Sequence, residues 1–337
     1  MLKEALLYEK SEEKKVSCFL CSHHCLIADG KLGICSVREN RGGILYTHSY
    51  GRLVAQHVDP IEKKPLYHFL PGSTSFSIAA AGCNFQCGFC QNWQISQIKE
   101  ARNLGLQSEE VKPEEIVKQA KRSGSKSISY TYTEPTIFFE YAQDVGQMAK
   151  EQGFYNVFVT NGFMTGEMIH MARPWLDAAN IDLKSFNDAF YRKLCKGRLE
   201  PVLKSIELMK KLGIWVEVTT LVVPGENDSA EEFKKIAEFL AGIDPAIPWH
   251  ISRFYPQYQM EGVSSTPMAT LNRAYDIGKG SGLRYVYLGN VMGKGSDTEC
   301  PQCGQVLIER VGYTIRKQKI KEGRCPHCQS PVDGVGL

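Results

Sequence analysis

Cys83-Asn84-Phe85-Gln86-Cys87-Gly88-Phe89-Cys90 puts three thiols on one short loop, spaced C-x3-C-x2-C, directly after a β-like run over 74–81. Three closely spaced thiolates suit three irons of a [4Fe–4S] cube. They leave the fourth iron open to a substrate-like ligand, which a four-Cys electron carrier lacks. The same spacing also admits a zinc ion completed by a distant His. Two features weigh for the cluster. The loop follows the first strand of a β–α series, and matching residues sit at the ends of later strands. Trp93 closes the loop and is placed to shield it from water.

Working outward, short strand-like runs at 127–132, 155–160, 179–183, 215–223, 249–252 and 284–287 alternate with amphipathic helical stretches. The clearest helix covers 229–240. Ser229 and Glu232 have the spacing of a capping box, and Phe233, Ile236, Ala237 and Leu240 fall at i, i+3, i+4 and i+7. Val202, Ile206 and Met209 do the same ahead of Gly213, a residue suited to end a helix. A shorter helix over 165–173 stops at Pro174. Repeated β–α units predict an α/β fold with a parallel sheet and helices outside. Six or so units predict a partial or full barrel with its chemistry at the C-terminal strand ends.

The strand ends carry polar residues worth naming. The second closes in Tyr132-Thr133-Glu134-Pro135, the third in Thr160-Asn161-Gly162 and the fourth in Asp182-Leu183-Lys184. The fifth runs Thr219-Thr220-Leu221-Val222-Val223-Pro224-Gly225, and the sixth Pro248-Trp249-His250-Ile251-Ser252-Arg253. Alternation puts Asp182 and Lys184 on one face. An inward lysine is costly among apolar groups unless it meets an anion, and Asp182 itself is the plain candidate. Glu134 likewise reads as a helix start, where a carboxylate suits the dipole, and His250 as a satisfied core residue.

Taken together, the three-Cys loop and these strand ends resemble the radical S-adenosylmethionine superfamily over about residues 70–290. Thr-Asn-Gly, Asp-Leu-Lys and Val-Pro-Gly are similar to motifs of glycyl-radical-enzyme activases, such as that for pyruvate formate-lyase. The resemblance implies a partial (βα)6 barrel and a [4Fe–4S] cluster on Cys83, Cys87 and Cys90. It implies S-adenosylmethionine held by Glu134, Thr160, Asn161, Asp182, Lys184, Val222 and His250. It also implies reductive cleavage to a 5′-deoxyadenosyl radical that abstracts hydrogen from a substrate the sequence does not name. Arg253 would face a substrate anion. Activases commonly carry Asp before Thr-Asn-Gly to hold a monovalent cation; Val159 stands there in this chain.

Every one of the 12 cysteines except Cys195 falls into one of three groups. Cys300, Cys303, Cys325 and Cys328 form two C-x2-C pairs separated by 21 residues, the pattern of a zinc ribbon stapling a short tail. Cys18, Cys21, Cys25 and Cys35 are spaced C-x2-C-x3-C-x9-C, which admits either zinc or a second iron–sulfur cluster. The expected organisation is a Cys-rich extension over 1–70, a core over 71–290 and the ribbon over 291–337. The whole arrangement resembles the radical enzyme of the AmmeMemoRadiSam system, which implies AMMECR-type and Memo-type companions and a reductant such as flavodoxin or ferredoxin.

At 337 residues, 43% hydrophobic and 23% charged, the chain can build a large core and is not a disordered polymer. No apolar run approaches the ~18 residues of a membrane span, and the first residues show no secretory signal. A cytoplasmic, reducing location is therefore expected, where clustered cysteines read as metal sites and not disulfides. The formal charge is +3; metal-loaded thiolates would bring it to about −2. Charge thus gives no argument for nucleic acid. Two competing readings are an activase proper acting on a protein backbone, and a non-catalytic metal-binding or RNA-docking module.

Overall fold

The computed structural model describes residues 2–98, 109–291, 293 and 295–337. Its centre is one nine-stranded sheet. In chain order the strands are β1 (Arg52–Pro60), β2 (Thr74–Ala80), β3 (Glu109–Glu110), β4 (Ser127–Tyr130), β5 (Tyr155–Thr160), β6 (Ala178–Asp182), β7 (Trp215–Val222), β8 (Trp249–Arg253) and β9 (Val286–Gly289). Across the sheet they run β9-β8-β7-β6-β5-β4-β2-β1-β3. The seven strands from β2 to β9 are parallel neighbours, while β1 and β3 add an antiparallel edge. Parallel strands need crossovers, and the helices that supply them bury one sheet face. All seven expected strands are present, with ends moved by at most two residues.

The crossover helices are α1 (Pro113–Arg122), α2 (Phe139–Glu151), α3 (Gly166–Ala172), α4 (Leu199–Lys211), α5 (Ala230–Ile243) and α6 (Met268–Gly280). Val202, Ile206 and Met209 of α4 are fully buried, and Gly213 follows the helix with φ +77°, as its spacing required. In α5, Phe233, Ile236, Ala237 and Leu240 are fully buried. The capping box expected there is only half made. Ser229 Oγ accepts the Glu232 N–H at 3.1 Å. The Glu232 carboxylate does not return to Ser229; it takes the Ser185 hydroxyl and the Phe186 N–H. A tertiary acceptor site outcompetes the local one, and α5 is thereby tied to the loop after β6. At α2 the backbone comes so close to Trp175 that a Cβ on Gly146 would sit 2.3 Å from the indole.

The face away from the helices is partly polar. Glu217 of β7 lies there fully buried and accepts the N–H groups of Tyr67 and His68, at 3.0 and 2.8 Å. These belong to the segment that crosses the sheet after β1. The ribbon strands Val306–Val311 and Thr314–Gln318 dock against the same segment. Buried Arg310 donates to the Tyr67 carbonyl at 2.9 Å and to Thr298 Oγ1 at 2.8 Å. A hydrogen-bonded chain joins the parts: Thr298 Oγ1 lies 2.9 Å from the Tyr287 hydroxyl, Tyr287 donates to His68 Nε2 at 2.6 Å, and His68 Nδ1–H donates to the Asp333 carbonyl at 2.6 Å.

At the other end, small antiparallel strands build the N-terminal extension. It docks through Ser22 Oγ on the Met164 carbonyl (2.9 Å), Thr165 Oγ1 on the Phe19 carbonyl (2.8 Å) and a buried Arg38–Glu140 ion pair. Among the described residues no helix is long and apolar enough to cross a membrane.

Candidate functional site

The parallel strands end together, and the polar residues at those ends decide what the site can do. The Cys83 loop leaves β2 through Gly82, whose φ of +106° lets the chain turn at once. Cys87 is buried, and Cys83 and Cys90 are partly so. The sulfurs have neighbouring donors. Ser96 Oγ lies 3.1 Å from Cys90 Sγ, the Phe85 N–H donates to Cys83 Sγ at 3.3 Å, and Asn161 Nδ2 lies 3.8 Å from Cys83 Sγ. Three free thiols with such donors are a fitting donor set for a cluster with one open iron.

Glu134, Thr160 and Asn161 are brought together. The buried Glu134 carboxylate accepts Thr136 N–H (3.1 Å), Thr136 Oγ1 (2.5 Å), Thr160 Oγ1 (2.7 Å) and Asn161 N–H (2.8 Å). Burial pushes its carboxyl above the usual range, and these donors offset that only in part. Asn161 Nδ2 then donates to Asn84 Oδ1 at 2.7 Å, which links the carboxylate to the cysteine loop. Burial, and next the nearby Glu134 charge, push the Cys83 thiol well up.

Asp182 and Lys184 form an ion pair at 2.8 Å. Burial opposes the lysine charge. The Asp182 carboxylate and the Cys87 and Cys195 sulfurs nevertheless hold its ammonium well above the usual range. Lys184 Nζ also lies 5.9 Å from the centre of the Phe89 ring, so it sits against the cysteine loop.

His250, Val222 and Arg253 are placed differently. His250 is in register with Thr219, and Thr219 with Asp182. Its Nε2 is taken by Glu217 at 2.7 Å, and its ring stacks on Tyr287 at 5.2 Å. It thus belongs to the buried network of the crossing segment. The Val222 side chain is fully buried in the apolar core, and its carbonyl accepts from Thr266 Oγ1 at 2.6 Å. Arg253 Nε donates to the Thr266 carbonyl at 2.9 Å. Trp93 starts a short helix and stacks on Tyr258 at 5.1 Å while 37% exposed, so it covers the loop only from one side.

Cys195, which stands alone in the sequence, is buried against the cysteine loop beside Cys87. Its carbonyl accepts the Gln86 N–H at 2.9 Å, and the Leu194 carbonyl accepts the Gly88 N–H at 3.1 Å. The 191–197 turn therefore backs the cysteine loop. No local pattern announces this, because the contact joins residues about a hundred apart in the chain.

The three cysteine groups differ in width. The Sγ atoms of Cys300, Cys303, Cys325 and Cys328 all lie within 4.8 Å of one another, with Cys300–Cys328 at 3.6 Å and Cys303–Cys325 at 3.8 Å. Four thiolates at ~2.3 Å from one tetrahedral ion sit about 3.8 Å apart. Among the described residues no other three Cys, His, Asp or Glu ligand atoms converge that closely. The central triad and the N-terminal tetrad are both wider. Cys18, Cys21, Cys25 and Cys35 nonetheless line a single cavity, together with Arg38 and Thr136.

The sequence pattern of the Radical SAM superfamily matches residues 77–240. The chain belongs to that superfamily and is an enzyme of activase-like type; the family implies a [4Fe–4S] cluster and S-adenosylmethionine. It is 44% identical over 338 residues to the uncharacterized protein MJ0808 of Methanocaldococcus jannaschii, covering 99% of this chain and all of that one. It is 26% identical over 175 residues to the pyruvate formate-lyase-activating enzyme of Clostridium pasteurianum, covering 48% of this chain and 67% of that one. A radical SAM methyltransferase from Sphaerobacter thermophilus shares the fold, with a TM-score of 0.52 at 17% identity and 71% of each chain covered.

Proposed function

We propose that this protein uses Cys83, Cys87 and Cys90 to hold a [4Fe–4S] cluster and cleaves S-adenosylmethionine beside it, within a partial (βα)6 barrel. The observation that carries the reading is the connected set Glu134–Thr160–Asn161–Asn84 next to Cys83, with Lys184 of the Asp182–Lys184 pair against Phe89 of the same loop. Held by Cys83, Cys87 and Cys90, a cluster would supply the one electron needed to cleave the sulfonium C5′–S bond to methionine and a 5′-deoxyadenosyl radical. Glu134 offers an anionic acceptor to the methionine ammonium, a charge-assisted bond. Lys184 offers its charge to the methionine carboxylate. That radical would take a hydrogen atom from the substrate and leave as 5′-deoxyadenosine.

The C-terminal tetrad has the spacing of a structural zinc, and we assign zinc to it. The three-part division at 70 and 290, a cytoplasmic location, a flavodoxin or ferredoxin reductant, and AMMECR-type and Memo-type companions belong to the same proposal. Likeness to a pyruvate formate-lyase-activating enzyme favours a second reading, in which the substrate is a glycine of a partner backbone. A glycyl-radical signal on a co-purified protein separates it from a small-molecule substrate.

The test is anaerobic reconstitution with iron and sulfide, then dithionite and S-adenosylmethionine. Formation of 5′-deoxyadenosine is expected, and its loss in Cys83→Ala. A fully loaded, reduced protein that cleaves none is not the enzyme described here.

A further inference from the structure

We infer that Cys18, Cys21, Cys25 and Cys35 hold a second [4Fe–4S] cluster, not zinc, set directly against the Cys83 loop as its electron donor. The metal assignment stands on the tetrad alone; the donor role rests on the function proposed above.

Three observations carry it. The first is width. A zinc ion gathers four thiolates to about 3.8 Å, and the C-terminal tetrad shows that spacing in the same molecule. The N-terminal thiols line one common cavity but do not converge to 4.8 Å. A cubane spreads its four cysteines to roughly 6 Å.

The second is Arg38. Its side chain is 1% exposed and lines that cavity. Nη1 donates to Cys18 Sγ at 3.2 Å, while Nε has no hydrogen-bond partner among the described residues. A buried unpaired N–H costs about 1–3 kcal/mol. A zinc ion offers it only thiolates already in use. The inorganic sulfides of a cubane are additional acceptors, and hydrogen bonds to cluster sulfurs are a recognised control of potential.

The third is position. His23, between Cys21 and Cys25, donates from Nε2 to the carbonyl of Asn84 at 2.7 Å. On the other side of Cys83, a Cβ on Gly82 would lie 3.3 Å from the Cys35 carbonyl and 2.9 Å from Val37. The two loops are thus pressed together on both flanks of Cys83. Four protein ligands leave no open iron, so this cluster transfers electrons and binds no substrate. It would take one electron from a low-potential protein donor of the flavodoxin or ferredoxin class and pass it to the Cys83 cluster, with no bond made or broken.

The experiment uses the full chain with Cys83, Cys87 and Cys90 all changed to Ala, reconstituted anaerobically with iron, sulfide and zinc. We expect ~4 iron and ~4 sulfide per chain, one zinc, and a reduced [4Fe–4S] electron-paramagnetic signal that S-adenosylmethionine does not alter. An iron-free protein with two zinc overturns the assignment. Should that variant not fold, the wild type decides: ~8 iron supports the inference and ~4 iron with two zinc overturns it. The donor role predicts spin–spin splitting in the doubly reduced wild type, absent from Cys21→Ser/Cys35→Ser; two unsplit signals overturn that role. Wild type with ~8 iron but no S-adenosylmethionine cleavage would sink the proposed function while leaving the metal assignment intact.

Discussion

The two four-cysteine groups offer the same ligands and are held in opposite ways. In the C-terminal ribbon the sulfurs nearly touch, on two short knuckles at the end of a small sheet. That tetrad closes on itself, and the segment it staples has little core. In the N-terminal extension the sulfurs stand apart around a cavity, and the surrounding protein braces them: Arg38 on Glu140 of α2, Ser22 on Met164, His23 on Asn84. The lesson is that a tight site carries its fold, while a wide one is carried by the fold around it.

The largest effect is expected from removing one ligand of the tight site. On the zinc assignment proposed above, Cys325→Ala should lose the ion and unfold the C-terminal segment, since apparent binding free energies of structural zinc are ~10 kcal/mol or more. Metal analysis and limited proteolysis of residues after 290 would check it. Iron content should not change; a parallel loss of iron would mean that the two ends are not separate structures.

The ribbon's attachment is the next target. Burial pulls the His68 imidazole down to about 4, while an unfolded His titrates near ~6.5. A depressed folded-state value means that the unfolded chain takes the proton first. Stability from this group is thus present above pH ~6.5 and is lost as pH falls toward about 4. The loss is on the order of 3 kcal/mol. Denaturant melts at pH 7 and pH 4.5 should differ by much of this in wild type and by clearly less in His68→Gln. An equal difference in both proteins would place the acid sensitivity elsewhere.

A smaller effect sharpens the comparison at the N-terminal end. Thr165 caps α3 by accepting the Met168 N–H at 3.3 Å, and its hydroxyl reaches the Phe19 carbonyl. Thr165→Ala should cost about 1 kcal/mol and raise hydrogen exchange in residues 19–22 without touching the ribbon. Exchange unchanged there would show that the extension does not depend on this contact.

Much of this was legible in the chain. Several strands of the parallel series announce themselves as short runs rich in β-branched and aromatic residues, Tyr155–Thr160 and Trp215–Val222 most plainly, and the strand ends name Glu134, Thr160, Asn161, Asp182 and Lys184. What escaped has a common cause. Glu232 reaches Ser185, Cys195 reaches Cys87 and His250 reaches Glu217 only after the sheet has curled distant segments together. Spacing along a sequence counts residues, not ångströms, so it could not tell a closed tetrad from an open one. The position of Val222 shows the converse limit: a motif fixes a neighbourhood and leaves side-chain direction to strand parity.

The Thr298–Tyr287–His68–Asp333 chain has a polarity. Each hydroxyl owns one hydrogen, and a neutral imidazole must give at one nitrogen and receive at the other. Once His68 gives its proton toward Asp333, the Tyr287 hydroxyl has to point at His68, and Thr298 has to supply Tyr287. The tail is therefore fastened by a row of dominoes all leaning one way. Protonating the imidazole makes Nε2 a donor, so the Tyr287 and Thr298 hydroxyls must turn round, while the Nδ1–H bond to Asp333 stands.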